Sequence, residues 1–244
     1  MTAHNEIAKR VAAALEVEHQ VNLHRYPVDI QVEGGVVTLS GTVEHIAAKR
    51  RAVIVAAAID GVREVVDRLR VEAAEAMGQD QILQHVRDAL YEEPALCEIR
   101  LVTVNKKDEK ETARDPDGAR GEIIVMVDAD GRVVLGGQVP GLSQRRLAEL
   151  LAWWVPGSTD VVNDLEVVPP EEDSDGEILD AVELALEKDH LVDAADITLS
   201  CRDAVVTLAG GIPSGRQSLL AECDAWYIHG VRDVQNHLVP IDPA

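Results

Sequence analysis

Three glycines set the frame of this chain. Gly41, Gly137 and Gly210 each close a short apolar run, VVTLSG at 36–41, VVLGG at 133–137 and VVTLAG at 205–210. The same residue classes then recur at the same distances. Two positions on stand Val43, Val139 and Ile212; twenty positions on stand Gly61, Gly157 and Gly230. Twenty-eight positions on stand Leu69, Leu165 and Leu238, each preceded two positions earlier by Asp67, Asn163 or Asn236. Self-similarity at fixed offsets means that one structural unit is used three times.

An upstream signature completes the unit. Ile7, Val11, Ala14 and Leu15 recur as Ile82, Val86, Ala89, Leu90 and as Ile178, Val182, Ala185, Leu186. That spacing puts all four on one face of a helix. The leucine lies 26, 47 and 24 residues before its glycine, so the second copy carries an insertion of roughly twenty residues. The polar stretch Asn105 to Gly121 is its site and reads as a solvated, mobile loop.

Each unit reads as helix, strand, strand, helix, strand. Alternating segments make a hairpin: Asp29 to Val32 with Val37 to Leu39, Ile124 to Val127 with Val133 to Leu135, Ile197 to Leu199 with Val205 to Leu208. Asp128-Ala129-Asp130-Gly131 is then a hairpin turn rather than a calcium loop. The second helix of the first copy runs from about Glu44 to Ile59 and ends at Gly61. The last strand is Val65 to Val71, with counterparts Val161 to Val167 and Val234 to Val239. A hairpin makes the first two strands antiparallel, and a right-handed crossover makes the last two parallel. The expected fold is α+β: three tandem α-β-β-α-β units, each a small mixed three-stranded sheet with two helices on one face. The expected units span 1–75, 78–169 and 173–242, and Ile99 to Val104 adds a strand to the second.

These residues carry a family resemblance. The run Gly35-Val36-Val37-Thr38-Leu39-Ser40-Gly41 with Gly61-Val62-Arg63-Glu64-Val65-Val66-Asp67-Arg68-Leu69 resembles the BON domain. So does Gly230-Val231-Arg232-Asp233-Val234-Gln235-Asn236-His237-Leu238, while the second copy departs at Pro156-Gly157-Ser158-Thr159. The resemblance covers nearly the whole chain. It implies a non-enzymatic bacterial protein of the envelope or of osmotic stress, similar to osmotically inducible periplasmic proteins, binding phospholipid or a protein.

Composition limits the alternatives. The formal net charge is −21, which argues against nucleic acid as a partner. Residues 1–77 hold 9 basic and 11 acidic side chains, residues 78–170 hold 10 and 17, and residues 171–244 hold 4 and 16. No run is long and apolar enough for a membrane span. The charged start MTAHNEIAKR lacks a signal-peptide pattern, so the expected location is the cytoplasm, or the periplasm if a signal peptide has been removed. Cys97, Cys201 and Cys223 read as reduced thiols. His19 and His190 share one offset and read as helix-end residues. No catalytic motif, metal-ligand set or cofactor loop is present, so no enzyme, metal or cofactor is expected.

Two surfaces remain as candidate sites, both on the second helices. Lys49, Arg50 and Arg51, with Arg145 and Arg146 in the second copy, read either as a solvated helix surface or as a contact for lipid headgroups or another anion. With Ala52, Val55 and Ile59, and Ala148, Leu151 and Val155, taken as the core face, the opposite face carries Ile46, Val53, Leu142, Trp153, Leu219 and Trp226. Such a face implies packing between units, a homo-oligomer, a protein partner or a membrane surface. Asp224 falls on the face assigned to the core. The leading expectation is a stress-related binding or adaptor protein. The alternatives are a cytosolic scaffold or chaperone-like module joined through the second helices, and a cation or small-ligand sensor.

Overall fold

The structure is a computed structural model and describes residues 3–241. Met1, Thr2 and residues 242–244, at the outer ends of the first and third expected units, lie outside the described residues. The chain divides into two compact bodies, Met1–Glu72 and Ala73–Ala244.

The first body is α1 (Ala3–Val17), β1 (Val28–Glu33), β2 (Val36–Val43), α2 (Ile46–Ala57) and β3 (Glu64–Val71). β2 is central, antiparallel to β1 (Ile30 opposite Leu39) and parallel to β3 (Val43 beside Val71). Both helices pack on one face of this sheet. Val11 and Leu15 of α1 meet Val37, Leu39 and Leu69 from the sheet and Ala48, Ala52 and Ala56 from α2. The alanines recur every four residues and are small, so they form the stripe of α2 that lies close on the strands. Val55 and Ile59, expected to lead that face, are only half-buried at its margin, while Ile46 is fully buried.

The second body holds two further units. The earlier one is α3 (Gln79–Glu92), a 3-10 turn (Pro94–Leu96), β4 (Arg100–Val104), β5 (Lys110–Arg114), β6 (Glu122–Val127), β7 (Arg132–Val139), α4 (Leu142–Trp153) and β8 (Asp160–Val167). The later one is α5 (Asp175–Lys188), β9 (Ile197–Arg202), β10 (Val205–Ile212), α6 (Gly215–Tyr227) and β11 (Asp233–Pro240). Its three strands repeat the first unit's order and directions. Ser174 and Ser214 start α5 and α6 by accepting hydrogen bonds from the Glu177 and Gln217 amides.

The sheet of the second unit has five strands in the order β5-β4-β6-β7-β8: the three common to all units, the strand expected at 99–104, which is β4, and an unexpected β5. The stretch expected as a mobile loop contains β5, which pairs antiparallel with β4. Its sequence, KETAR, is polar because an edge strand needs no apolar face. Arg114 anchors it by donating to the carbonyls of Ile99, Tyr91 and Leu96.

The frame-setting glycines explain themselves. Gly41, Gly137 and Gly210 have φ of +130°, +111° and +128°. A β-carbon there would overlap the carbonyl oxygen of Pro27, Glu122 or Asp196 on the neighbouring chain segment. Only glycine meets both demands.

Candidate functional site

Of the candidate cations, Lys49, Arg51 and Arg145 are held inside their own units, and Arg146 reaches into the third. Lys49 is 3% exposed; its Nζ donates to Asp67 Oδ1 at 3.0 Å and to the Leu69 carbonyl at 2.6 Å. Arg51 pairs with Glu18 at 3.0 Å. Arg145 donates to the Asn163 carbonyl at 3.3 Å. Arg146 is 2% exposed; its Nε donates to the His229 carbonyl at 2.8 Å and its Nη2 to Asp173 at 2.5 Å. A solvated helix surface therefore does not describe Lys49 or Arg146. Arg50 is half-buried.

The aspartate or asparagine before each last-strand leucine is the hub of a repeated polar tie. Asp67, Asn163 and Asn236 each accept a hydrogen bond from the amide two residues on. In the first unit the tie to the second helix is Asp67 with Lys49. In the other two the asparagine amide donates to Glu149 Oε2 at 2.9 Å and to Glu222 Oε2 at 3.0 Å, and both glutamates are buried. Neither tie was visible as a pair in the sequence, because its members lie 14 or 18 residues apart on different elements.

The second and third units meet through α4, α5 and α6. Trp153 and Trp226 are buried, and Trp153 stacks on Tyr227 with ring centroids 5.3 Å apart. Leu142 is buried, Val53 half-buried and Leu219 exposed at 37%. Trp154 Nε1 donates to Asp224 Oδ1 at 3.0 Å across the junction, and Lys188 pairs with Glu93 at 3.0 Å. Asp224 is 2% exposed, and burial pushes its carboxyl up to about 8, with Asp189 raising it further and the Trp154 indole N–H pulling it down. Its Oδ2 has no hydrogen-bond partner among the described residues. Tyr227 beside it is pushed well above the usual phenol range, first by burial.

A groove of about 340 Å³ runs between α4 and α5 on this junction. Leu147, Leu150 and Ile228 form its buried floor, and Ala181 and Leu184 its wall. Glu171, Glu177 and Asp180 stand on its rim. Of its members Arg146 was singled out in the sequence, as a candidate anion contact, and the apolar and acidic ones were not; the signal that was present is the third unit's excess of carboxylates.

The repeated α-β-β-α-β order, the glycine bends and the Asx hubs together describe one domain type. The family model described as BON domain matches residues 4–73, 103–169 and 174–239. The chain belongs to the BON domain family. The second BON match begins at residue 103 and so leaves out α3, which the β4–β5 hairpin separates from the rest of its unit. The relative "Osmotically-inducible protein Y" of Escherichia coli (strain K12) is 32% identical over 160 residues, covering 66% of this chain and 70% of its own. Two solved structures of CdsD, a structural protein of the type III secretion system of Chlamydia trachomatis, align with 14% and 15% identity. They cover 99% and 97% of this chain and 100% and 94% of theirs, at TM-scores of 0.25 and 0.24, and carry no argument here.

The other residues singled out in the sequence have local settings. Asp128 Oδ1 accepts from the amides of Asp130 and Arg132, which makes its segment a hairpin turn. His19 and His190 follow the ends of α1 and α5. Cys97 is exposed, Cys201 half-buried and Cys223 buried. Among the described residues no group of three His, Cys, Asp or Glu side chains converges as a metal site, and no helix is long and apolar enough to cross a membrane.

Proposed function

We propose that this BON protein is a non-enzymatic, stress-related adaptor that engages a protein partner through the helical layer of α4, α5 and α6. The observation that carries this reading is the placement of the cations. A phospholipid headgroup needs cations presented on an open surface. Lys49 and Arg146 are buried in hydrogen-bonded pairs, and Arg51 and Arg145 are bonded within their own units. The net charge of −21 opposes approach to an anionic bilayer. The relative's name supports the stress setting, and cysteines that form no disulfide among the described residues suit the reducing cytoplasm. A scaffold joined through the second helices has less support, because Trp153 and Trp226 are already buried within one body.

Flotation with phosphatidylglycerol vesicles at low salt tests the reading. The protein stays unbound. Flotation that disappears in the double variant Arg50→Ala/Arg145→Ala would restore the lipid contact. A photo-cross-linker at position 184, inside stressed cells, forms protein adducts that one at the exposed position 111 does not.

A further inference from the structure

We propose that the groove between α4 and α5 takes an amphipathic helix of a partner protein whose apolar stripe is flanked by lysine or arginine. This rests on the reading of the α4–α6 junction as a protein-binding surface and names the partner's chemistry. Three observations meet in it.

The first is shape. The α4 wall is drawn from Ser143, Arg146, Leu147 and Leu150, and the α5 wall from Glu177, Asp180, Ala181 and Leu184. Both sets have the spacing i, i+3, i+4, i+7, so each helix offers one stripe about two turns long, roughly 10 Å. Two such stripes make a trough that fits a third helix laid along it, anchored by its own residues at the same spacing.

The second is polarity. Leu147, Leu150 and Ile228 are buried beneath the trough, while Leu184 is 40% exposed along it. The α5 face therefore carries an apolar side chain that its own body leaves in water. The occupant must offer aliphatic or aromatic side chains to it.

The third is charge. Glu171, Glu177 and Asp180 rim the trough. The one cation in its lining, Arg146, is already bound to Asp173 and to the His229 carbonyl. The rim is thus negative with no cation left to offset it. Such a rim repels nucleic acid, anionic lipid and acidic peptides, and attracts flanking lysines or arginines. The acidic third unit extends the same field and speeds encounter with a basic segment.

Fluorescence anisotropy on the full chain tests this with three labelled peptides of about four helical turns. One carries leucines at i, i+3, i+4, i+7 flanked by lysines; one has glutamines for the lysines; one has the first composition scrambled. The lysine-flanked stripe binds, more weakly as salt rises. Its affinity falls about tenfold in Leu184→Ser and in Ala181→Trp, and severalfold in Glu177→Gln/Asp180→Asn. It is unchanged in Glu109→Gln/Glu111→Gln, which removes equal charge elsewhere. Tryptophan fluorescence checks that each variant is folded, and Leu184→Ser carries the test if Ala181→Trp is not. Equal binding of the scrambled peptide, equal loss in the remote variant, or no effect at position 184 overturns the proposal. Glutamine-flanked binding of equal strength overturns the cationic partner yet leaves the junction as an adaptor surface. Cross-linking that fails while the lysine-flanked stripe still binds selectively overturns only the adaptor reading.

Discussion

Asp224 makes the junction of the second and third units sensitive to base. Its carboxyl is pushed up to about 8, chiefly by burial, from an ordinary value of 3.8. In that window the folded chain holds a proton that the unfolded chain releases. Stability is therefore full below the unfolded value, falls as pH rises, and levels off above the folded value. The slope is about 1.4 kcal/mol per pH unit, so the change from pH 6 to pH 9 is about 2.5 kcal/mol. Asp224→Asn keeps an acceptor for the Trp154 indole and cannot ionise. It flattens the profile, so its stability relative to the parent rises by about 2.5 kcal/mol between pH 6 and pH 9. The assay is urea unfolding followed by tryptophan fluorescence. The chain's three tryptophans, Trp153, Trp154 and Trp226, all lie in the second body, so the signal isolates it. Tyr227, raised well above the phenol range, does not titrate in this window. Other titrating groups cancel in the difference between parent and variant. Parallel profiles for the two proteins from pH 6 to pH 9 would refute the reasoning.

Other expectations follow from single residues. Gly137→Ala costs roughly 3 kcal/mol, because φ is +111° and the new β-carbon meets the Glu122 carbonyl, while Gly136→Ala next to it has open space and costs under about 0.5 kcal/mol; urea unfolding by tryptophan fluorescence compares them. Asp67→Asn strips the buried Lys49 of its carboxylate and costs about 3 kcal/mol, whereas adding Lys49→Met recovers much of it, read by amide exchange in the first body. In a thiol titration near neutral pH, the exposed Cys97 reacts first; Cys201, raised to about 11 mainly by burial, and the buried Cys223 react only slowly until the fold opens.

The fold was legible wherever period and glycine carry the information. Gly41, Gly137 and Gly210 fixed the hairpins and the crossover, because no other residue fits their bend. The strand β5 was illegible, since an edge strand of Lys, Glu, Thr, Ala and Arg has the composition of a loop and gains its order from β4 and the Arg114 anchor. Helical angles alone misplaced the core face of α2. Alanine carries little weight in an apolar pattern, yet Ala48, Ala52 and Ala56 are what touch the sheet. Basic side chains read as solvent-facing for a similar reason. Lys49 and Arg146 find their carboxylates 18 and 27 residues away, beyond the reach of any helix periodicity. The misfit of Asp224 was visible as a carboxylate on an apolar face, but the burial that holds its proton is tertiary, and its partner Trp154 is 70 residues distant.

The polar tie between second helix and last strand has opposite chemistry in different units, and this bears on how a tandem chain avoids exchanging its parts. Near-identical neighbours risk docking the helix of one onto the sheet of another while the chain is still folding. Seating α6 on the first sheet would bring Glu222 against Asp67, two carboxylates with no cation between them. Seating α2 on the third would bury the Lys49 ammonium beside Asn236, without a counter-charge. The first unit's helix is thus keyed to its own strand and the other two are barred from it, and the key is a charge that the apolar repeat does not contain.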